Sequence, residues 1–271
     1  MLTIFSCPKP FEGHIDIIQR NAICSWKRLD PHIEIILFGD DEGIAEIAKE
    51  YELRHIADIE RNNFGTPLLN DVFKKVHQEA KNEVICYVNS DIILLHDFLD
   101  AILKIKKIEK EFLLIGQRWD VKMDFLLDIS DEHYEEKIRK YLTKDAKLHP
   151  PAGSDFFVFP QWSFQKIPPF AVGRAGWDNW MIFHSCETGI PVIDITPVTL
   201  VIHQNHDYRH VKQSHNYSYE NPESEENRKI IGNTKNIYTL KDADYSLSSN
   251  GLKVNIKKRL FSRFRALIQG T

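Results

Sequence analysis

Short apolar runs alternate with stretches of helical periodicity along the N-terminal part of the chain. Leu2-Thr3-Ile4-Phe5 reads as a buried strand, and Ile15, Ile18, Ala22, Trp26 and Leu29 then recur at the spacing of an amphipathic helix. The rhythm repeats, with residues 33–38 as a second strand and Ile44, Ile47, Ala48 and Tyr51 as the helix after it. A weaker strand across residues 54–59 precedes a helix starting near Pro67 that carries Leu68, Leu69, Val72, Phe73 and Val76. Val84-Ile85-Cys86-Tyr87-Val88 is the fourth strand, followed by a helix around Leu99, Ile102 and Leu103. Such alternation specifies an α/β fold, a mostly parallel sheet flanked by helices, in which ligands bind beyond the carboxyl ends of the strands. Polar residues at those ends are the first candidates for function.

After Leu113-Leu114-Ile115 the rhythm changes. Residues 128–147 are highly charged and helix-prone, and His149-Pro150-Pro151 breaks the chain, which predicts an insertion over the sheet. Strand-like runs at residues 156–159 and 198–202 flank a helix from about Asp178 to Gly189, the glycine serving as its C-terminal cap. Residues 204–250 are polar, rich in Asn, Ser, Tyr and Glu, and expected to be loop-rich, with order returning near the basic C-terminal end.

Composition narrows the function classes. A chain of 271 residues with 42% hydrophobic and 27% charged side chains can bury a sizeable core. MLTIFSCPKP lacks the basic and long apolar regions of a secretory signal, and no uninterrupted apolar run reaches the roughly 18 residues that span a bilayer, so a cytoplasmic protein is expected. Cys7, Cys24, Cys86 and Cys186 form no Cys-x-x-Cys pair, which suits reduced thiols. The net charge of −4 is uneven: residues 245–271 hold six basic and no acidic side chains, leaving 29 basic against 39 acidic on residues 1–244. That balance argues against a nucleic-acid partner. Within the tail, residues 252–265 interleave apolar and basic side chains. As a helix this segment suits peripheral contact with an anionic membrane, or docking on the acidic body.

The strand 84–88 runs straight into Asn89-Ser90-Asp91 before the apolar run Ile92-Ile93-Leu94-Leu95. A carboxylate between two hydrophobic runs fits a hard divalent cation that neutralises a leaving diphosphate; the alternative is a cap on the next turn. Asp178 lies in Gly173-Arg174-Ala175-Gly176-Trp177-Asp178-Asn179-Trp180, where it either caps a helix or acts as a general base. A helix N-terminus would hold that carboxylate ionised. Trp177 and Trp180 offer a platform for a sugar ring, with the core as the alternative for Trp180. His203 ends a strand-like run, and His206-Asp207-Tyr208 follows it as a polar cluster.

In their order along the chain these features resemble the GT-A glycosyltransferases, especially the family 2-like and capsule-type enzymes. The resemblance covers roughly residues 1–210, with a nucleotide-binding half of about 1–120 and an acceptor half of about 121–210. Residues 211–271 would form the C-terminal extension. It implies a GT-A, Rossmann-like fold, with Asn89 and Asp91 in the place of the family's Asp-x-Asp turn, Asp178 as the base and His203 as a late metal ligand. Asn89 departs from the pattern: its amide accepts but carries no charge, so Asp91, His203, phosphate and water would hold Mn2+ or Mg2+. The resemblance places nucleotide and donor contacts at Ser6, Pro8, Asp40, Asp41, Gly65, Thr66, Asn70, Asn89, Ser90 and Arg118. Asp120, Asp155, Trp177, Asn179 and His206 fall on the sugar and acceptor side.

The implied activity is metal-dependent transfer of a sugar from a nucleotide-sugar donor, UDP-linked by preference. The acceptor would be a saccharide or lipid-linked hydroxyl, and the reaction would invert configuration in bacterial surface-glycan or capsule synthesis. A sugar-1-phosphate nucleotidyltransferase is the rival enzyme, but it needs a glycine-rich basic loop where Ser6-Cys7-Pro8-Lys9-Pro10 has one lysine and no glycine. A catalytically inactive nucleotide- or glycan-binding protein is the other alternative.

Overall fold

The computed structural model describes residues 1–128, 130–206 and 221–256. Its strands are β1 Leu2–Ser6, β2 Glu34–Phe38, β3 Arg54–Ile56, β4 Val84–Val88, β5 Ile92–Ile93, β6 Leu113–Ile115, β7 Trp119–Val121, β8 Lys147–Leu148, β9 Phe156–Pro160, β10 Val192–Asp194, β11 Ile202–Gln204, β12 Tyr245–Ser248 and β13 Gly251–Val254. The helices are α1 Gly13–Leu29, α2 Ile44–Glu50, α3 Leu69–Glu79, α4 His96–Lys106, α5 Tyr134–Asp145, α6 Trp177–Thr188 and α7 Pro222–Ile231.

A nine-stranded sheet in the order β13-β12-β10-β6-β9-β4-β1-β2-β3 forms the centre, and a four-stranded sheet in the order β5-β11-β7-β8 stands beside it. The pairs β1–β2, β1–β4, β2–β3, β6–β10 and β10–β12 are parallel, as the β–α alternation requires. Strand β9 runs antiparallel between β4 and β6. Alternate residues of each strand face opposite layers. Ile4, Leu37 and Cys86 pack against α1, α2 and α4 through Ala22, Ile47 and Phe98. Phe5, Ile36 and Tyr87 pack against α3, α6 and α7 through Phe73, Met181 and Ile231. A third cluster joins Ile93, Val121 and Ile202 of the smaller sheet to Tyr134, Ile138 and Leu142 of α5, so the charged insertion does cover a sheet.

Three expectations change. The strand expected at residues 198–202 is displaced: Thr196–Val198 is a 3-10 turn with Pro197 near its start, and pairing begins only at Ile202. Residues 204–250, expected to be loop-rich, supply α7 and β12, the latter hydrogen-bonded in parallel to β10. The sequence hides them because α7 is charged and short, and its apolar contribution is confined to its C-terminal end. Finally, the basic segment expected as a helix from residue 252 starts as β13, paired antiparallel with β12; residues 257–265 lie outside the described residues.

Helix α7 is fastened by the buried Asn227. Its amide oxygen accepts from Ala171 N at 2.9 Å, while its nitrogen donates to the carbonyls of Ala171 and Arg174, both at 3.3 Å. Gly176, at φ 106°, leads into α6, and a Cβ there would meet Ile231 of α7 at 2.6 Å. Asn227→Ala would strand these backbone groups, at a cost of about 1–3 kcal/mol. Denaturant unfolding of the variant is therefore expected to show a lowered midpoint, whereas an unchanged midpoint would show that the loop at residues 171–176 stands without α7.

Candidate active site

The carboxyl ends of β1, β2 and β4 lie side by side in parallel register, so the polar residues after them share one rim. The turn Asn89-Ser90-Asp91 leaves β4 there and hands the chain to β5 in the second sheet. Strand β11 pairs antiparallel with β5, setting His203 opposite Ile92. Residues more than a hundred positions apart therefore converge on Asp91. Its Oδ2 lies 3.1 Å from His206 Nε2 and 3.7 Å from His203 Nε2. Its Oδ1 is buried and has no hydrogen-bond partner. One donor atom from each of Asp91, His203 and His206 falls within a span of 4.8 Å.

A buried carboxylate with one oxygen against two imidazoles and the other orphaned is costly without an occupant and apt for a divalent cation. Burial works against the charge on Asp91, but His203, His206 and Lys9 hold its carboxyl well below the usual range. Nδ1 of His203 faces two acceptors, Asp120 Oδ1 at 3.1 Å and Asn205 Oδ1 at 3.2 Å. The proton then sits on Nδ1, and the Nε2 lone pair is left for a cation. Burial disfavours a charged His203, yet Asp91 and Asp120 raise its proton affinity overall, so a cation would displace a proton.

Asp120, expected on the sugar side, thus orients His203 instead. It also binds Arg118 Nε at 2.9 Å and His149 Nδ1 at 2.7 Å. Arg118 reaches on to Asp155, whose other oxygen accepts from Asn89 Nδ2 at 2.9 Å. Asn89 Oδ1 accepts from the Tyr87 hydroxyl at 3.1 Å. Both polar ends of the Asn89 side chain are therefore used within the protein, and neither Arg118 nor Asp155 is an unattached sugar-binding group. The Ser90 hydroxyl donates to Gln19 Oε1 at 2.7 Å, which ties the turn to α1.

Among the residues expected to touch nucleotide, Ser6 is sealed inside with its hydroxyl on Val88 O at 2.6 Å, and Pro8 is buried beside it. Asp40 and Asp41 pair with Arg61 at 2.5 and 2.8 Å, and the same guanidinium donates to Gly65 O at 2.6 Å. Thr66 Oγ1 accepts from Arg174, which also binds Glu223 of α7 at 2.6 Å. Asn70 Oδ1 is buried and unpartnered. Arg61, Arg174 and Glu223 escaped sequence reading, since isolated charges in loops or in the first turn of a short charged helix carry no periodic signal. Gln19 was equally hidden as a polar residue on the apolar face of a helix.

Asp178 sits in the first turn of α6, but Gly176 occupies the cap position and no side-chain cap is formed. The expectation of a readily ionised carboxylate is reversed: burial pushes its pKa up to about 6, against the opposing backbone N–H groups and aided by the nearby charge of Asp155. Gly153 makes room for it, since a Cβ there would come within 2.1 Å of Asp178 Oδ2. Trp177 is no sugar platform; it is 4% exposed and packs edge-on against Tyr87. Asn179 Nδ2 is spent on the carbonyls of Ala152 and Tyr238.

No protein-family model matches the chain, and no curated protein matches it. Solved structures do. Glucosyl-3-phosphoglycerate synthase from Mycobacterium tuberculosis, in complex with phosphoglyceric acid, superposes with a TM-score of 0.50 at 11% identity over 78% of this chain and 74% of that one. The same enzyme with Mn2+, UDP and phosphoglyceric acid gives a TM-score of 0.49 at 11% identity, over 78% and 73%. S. aureus TarS 1–349 with UDP-GlcNAc gives 0.35 at 18% identity over 44% of this chain, which spans only 35% of that one. The first of these likenesses, with the mostly parallel sheet between helical layers, makes this a GT-A, Rossmann-like fold.

Removing Asp155 would leave Arg118 and Asn89 half-partnered in a site where Arg118 and Asp155 are 17% and 14% exposed. Asp155→Ala is expected to destabilise the fold by about 3 kcal/mol, read by thermal or chemical unfolding; a loss below experimental scatter would mean that water replaces the carboxylate at no cost.

Proposed function

We propose that the chain is a metal-dependent glycosyltransferase that takes a sugar from a nucleotide donor, UDP-linked by preference. The acceptor is a hydroxyl of a saccharide or lipid-linked glycan, in surface-glycan or capsule synthesis. The observation that carries this reading is the buried Asp91 at the rim where the parallel strands end, with Oδ2 facing His203 and His206 and Oδ1 without a hydrogen-bond partner. Support comes also from its GT-A neighbours, solved with UDP-GlcNAc or with UDP and Mn2+.

Asp91, His203 and His206 would hold the cation, and two imidazoles beside one carboxylate favour Mn2+ over Mg2+. When bound, the cation supplies positive charge for the diphosphate. Asp178 would act as the base: it takes the proton of the acceptor hydroxyl while that oxygen bonds to the anomeric carbon. The bond from that carbon to the diphosphate oxygen breaks, and its electron pair leaves with the nucleoside diphosphate. With one base and no separate nucleophile, the displacement is direct and inverts configuration. The partly apolar setting of Asp178 suits this work, because a carboxyl titrating near 6 is a stronger base than an exposed aspartate and is still mostly ionised at neutral pH.

The reading is tested by thermal shift with a panel of nucleotide sugars, with and without Mn2+. A ligand that binds the native state raises its melting temperature, and a panel in which no nucleotide gives a Mn2+-enhanced shift would overturn the proposal. Activity on the stabilising donor is expected to fall as pH drops through about 6, where Asp178 takes up its proton and ceases to be a base. Asp178→Asn should slow turnover by about 100-fold or more and flatten this acid limb, while donor affinity, measured by calorimetry, stays near the wild-type value.

A further inference from the structure

Lys9 has no place in the ligand set or the base chemistry, yet it is built into the site. It follows β1 and is gripped at its backbone by one side chain, Gln19: Lys9 N donates to Gln19 Oε1 at 2.7 Å, and Gln19 Nε2 donates to Lys9 O at 2.8 Å. The same Oε1 accepts from Ser90 Oγ at 2.7 Å, so Lys9 is indexed to the turn that carries Asp91. Its Nζ lies 3.4 Å from His206 Nε2, at the edge of the Asp91, His203 and His206 cluster. Among the described residues no carboxylate forms an ion pair with it, whereas Arg61 and Arg174 are committed to Asp40, Asp41 and Glu223.

Charge accounting gives this position its meaning. Among the described residues, Asp91 is the one carboxylate of the cluster, and Asn89 adds no charge. A nucleoside diphosphate gains negative charge as it departs, and a single divalent cation already partly neutralised by Asp91 leaves much of that charge unmet. We propose that the Lys9 ammonium binds the diphosphate directly, as a second fixed positive charge beside the cation, and stabilises the departing nucleoside diphosphate. This rests on the nucleotide-sugar reading above. Lys9 transfers no proton in the step: it donates a hydrogen bond to a phosphate oxygen as the sugar–oxygen bond breaks, while the acceptor's proton goes to Asp178. A point charge of this kind suits phosphate, which lysine binds without the bidentate geometry of arginine.

The test separates the cation from the anion. Mn2+ alone, followed by electron paramagnetic resonance, and UDP and pyrophosphate at saturating Mn2+, followed by calorimetry, are titrated into wild type, Lys9→Met and Lys9→Arg. Lys9→Met is expected to weaken UDP and pyrophosphate about tenfold to hundredfold. It should leave Mn2+ alone bound as tightly or more tightly, since a neighbouring positive charge has gone. Lys9→Arg should recover part of the anion affinity. Opposite responses of cation and anion are what a merely structural lysine would not give, so equal weakening of both overturns the proposal. Wild-type-like affinity of Lys9→Met for UDP and pyrophosphate overturns it while leaving the nucleotide-sugar reading intact. Failure of the wild type itself to bind either anion with Mn2+ overturns that reading and this inference together.

Discussion

Two residue pairs, Ile202 with Ile93 and His203 with Ile92, close β11 against β5, and the candidate site exists only because of that closure. Strand β5 is two residues long and cannot hold a register unaided. Helix α1 supplies what the ladder lacks. Trp26 Nε1 donates to Ile92 O at 2.9 Å, Ser25 Oγ accepts from Leu94 N at 3.1 Å, and Asn21 Nδ2 donates to Gln204 Oε1 at 2.9 Å. Gln204 in turn donates to Ile18 O and Asp91 O. These groups are buried, so each broken bond would leave a polar atom without water, and the penalty fixes one arrangement. The turn Asn89-Ser90-Asp91 is thus clamped on the β4 side by the main sheet and on the β5 side by α1 and β11.

A second set of constraints is electrostatic. Asn89, Asp155, Arg118, Asp120 and His203 form one chain of hydrogen bonds and ion pairs that leads to the cluster of Asp91, His203 and His206. Asp120 is shared by Arg118, His149 and His203, which together hold it ionised despite partial burial. An ionised Asp120 is what keeps the His203 proton on the far side of its ring. The residue type at position 89 fits the same network: an amide can donate to Asp155 and accept from Tyr87, whereas a carboxylate there would face Asp155 across 2.9 Å of like charge.

The alternating half of the molecule was legible from the pattern of apolar residues because each element there spans enough turns or pleats to show its period. Helix α6 was legible too, through Gly189, which adopts φ 80° at its C-terminal end. The short strands were not. Two or three residues, as in β5, β7, β8 and β11, show no period, and they pair through backbone groups that any side chain permits. Asp91 and His203 could be singled out as polar residues interrupting apolar runs, and their convergence follows. Asp120 and Asp155 read as polar groups at strand ends suited to sugar hydroxyls; the tertiary arrangement shows both paired with Arg118. Trp177 illustrates the converse, since an aromatic beside a candidate base in sequence can point into the core when the helix starts one residue earlier.

The division of labour between rigid and reactive groups follows from these contacts. Side chains whose polar groups are already matched within the protein, such as Asn89 and Ser6, define shape and have little left to offer a ligand. Among the described residues, Asp91 Oδ1, Asn70 Oδ1 and His77 Nδ1 are buried without a hydrogen-bond partner, and no carboxylate forms an ion pair with the Lys9 ammonium. Asp91 and Lys9 lie at the rim beyond β4 and β1, where a bound molecule with both positive and negative parts would satisfy the acceptor and the donor together. A lone anion would leave Asp91 repelled, and a lone cation would be repelled by Lys9. On the proposed function, the two groups together would suit a cation and a polyanion bound as one unit, the form in which a nucleoside diphosphate meets a divalent metal.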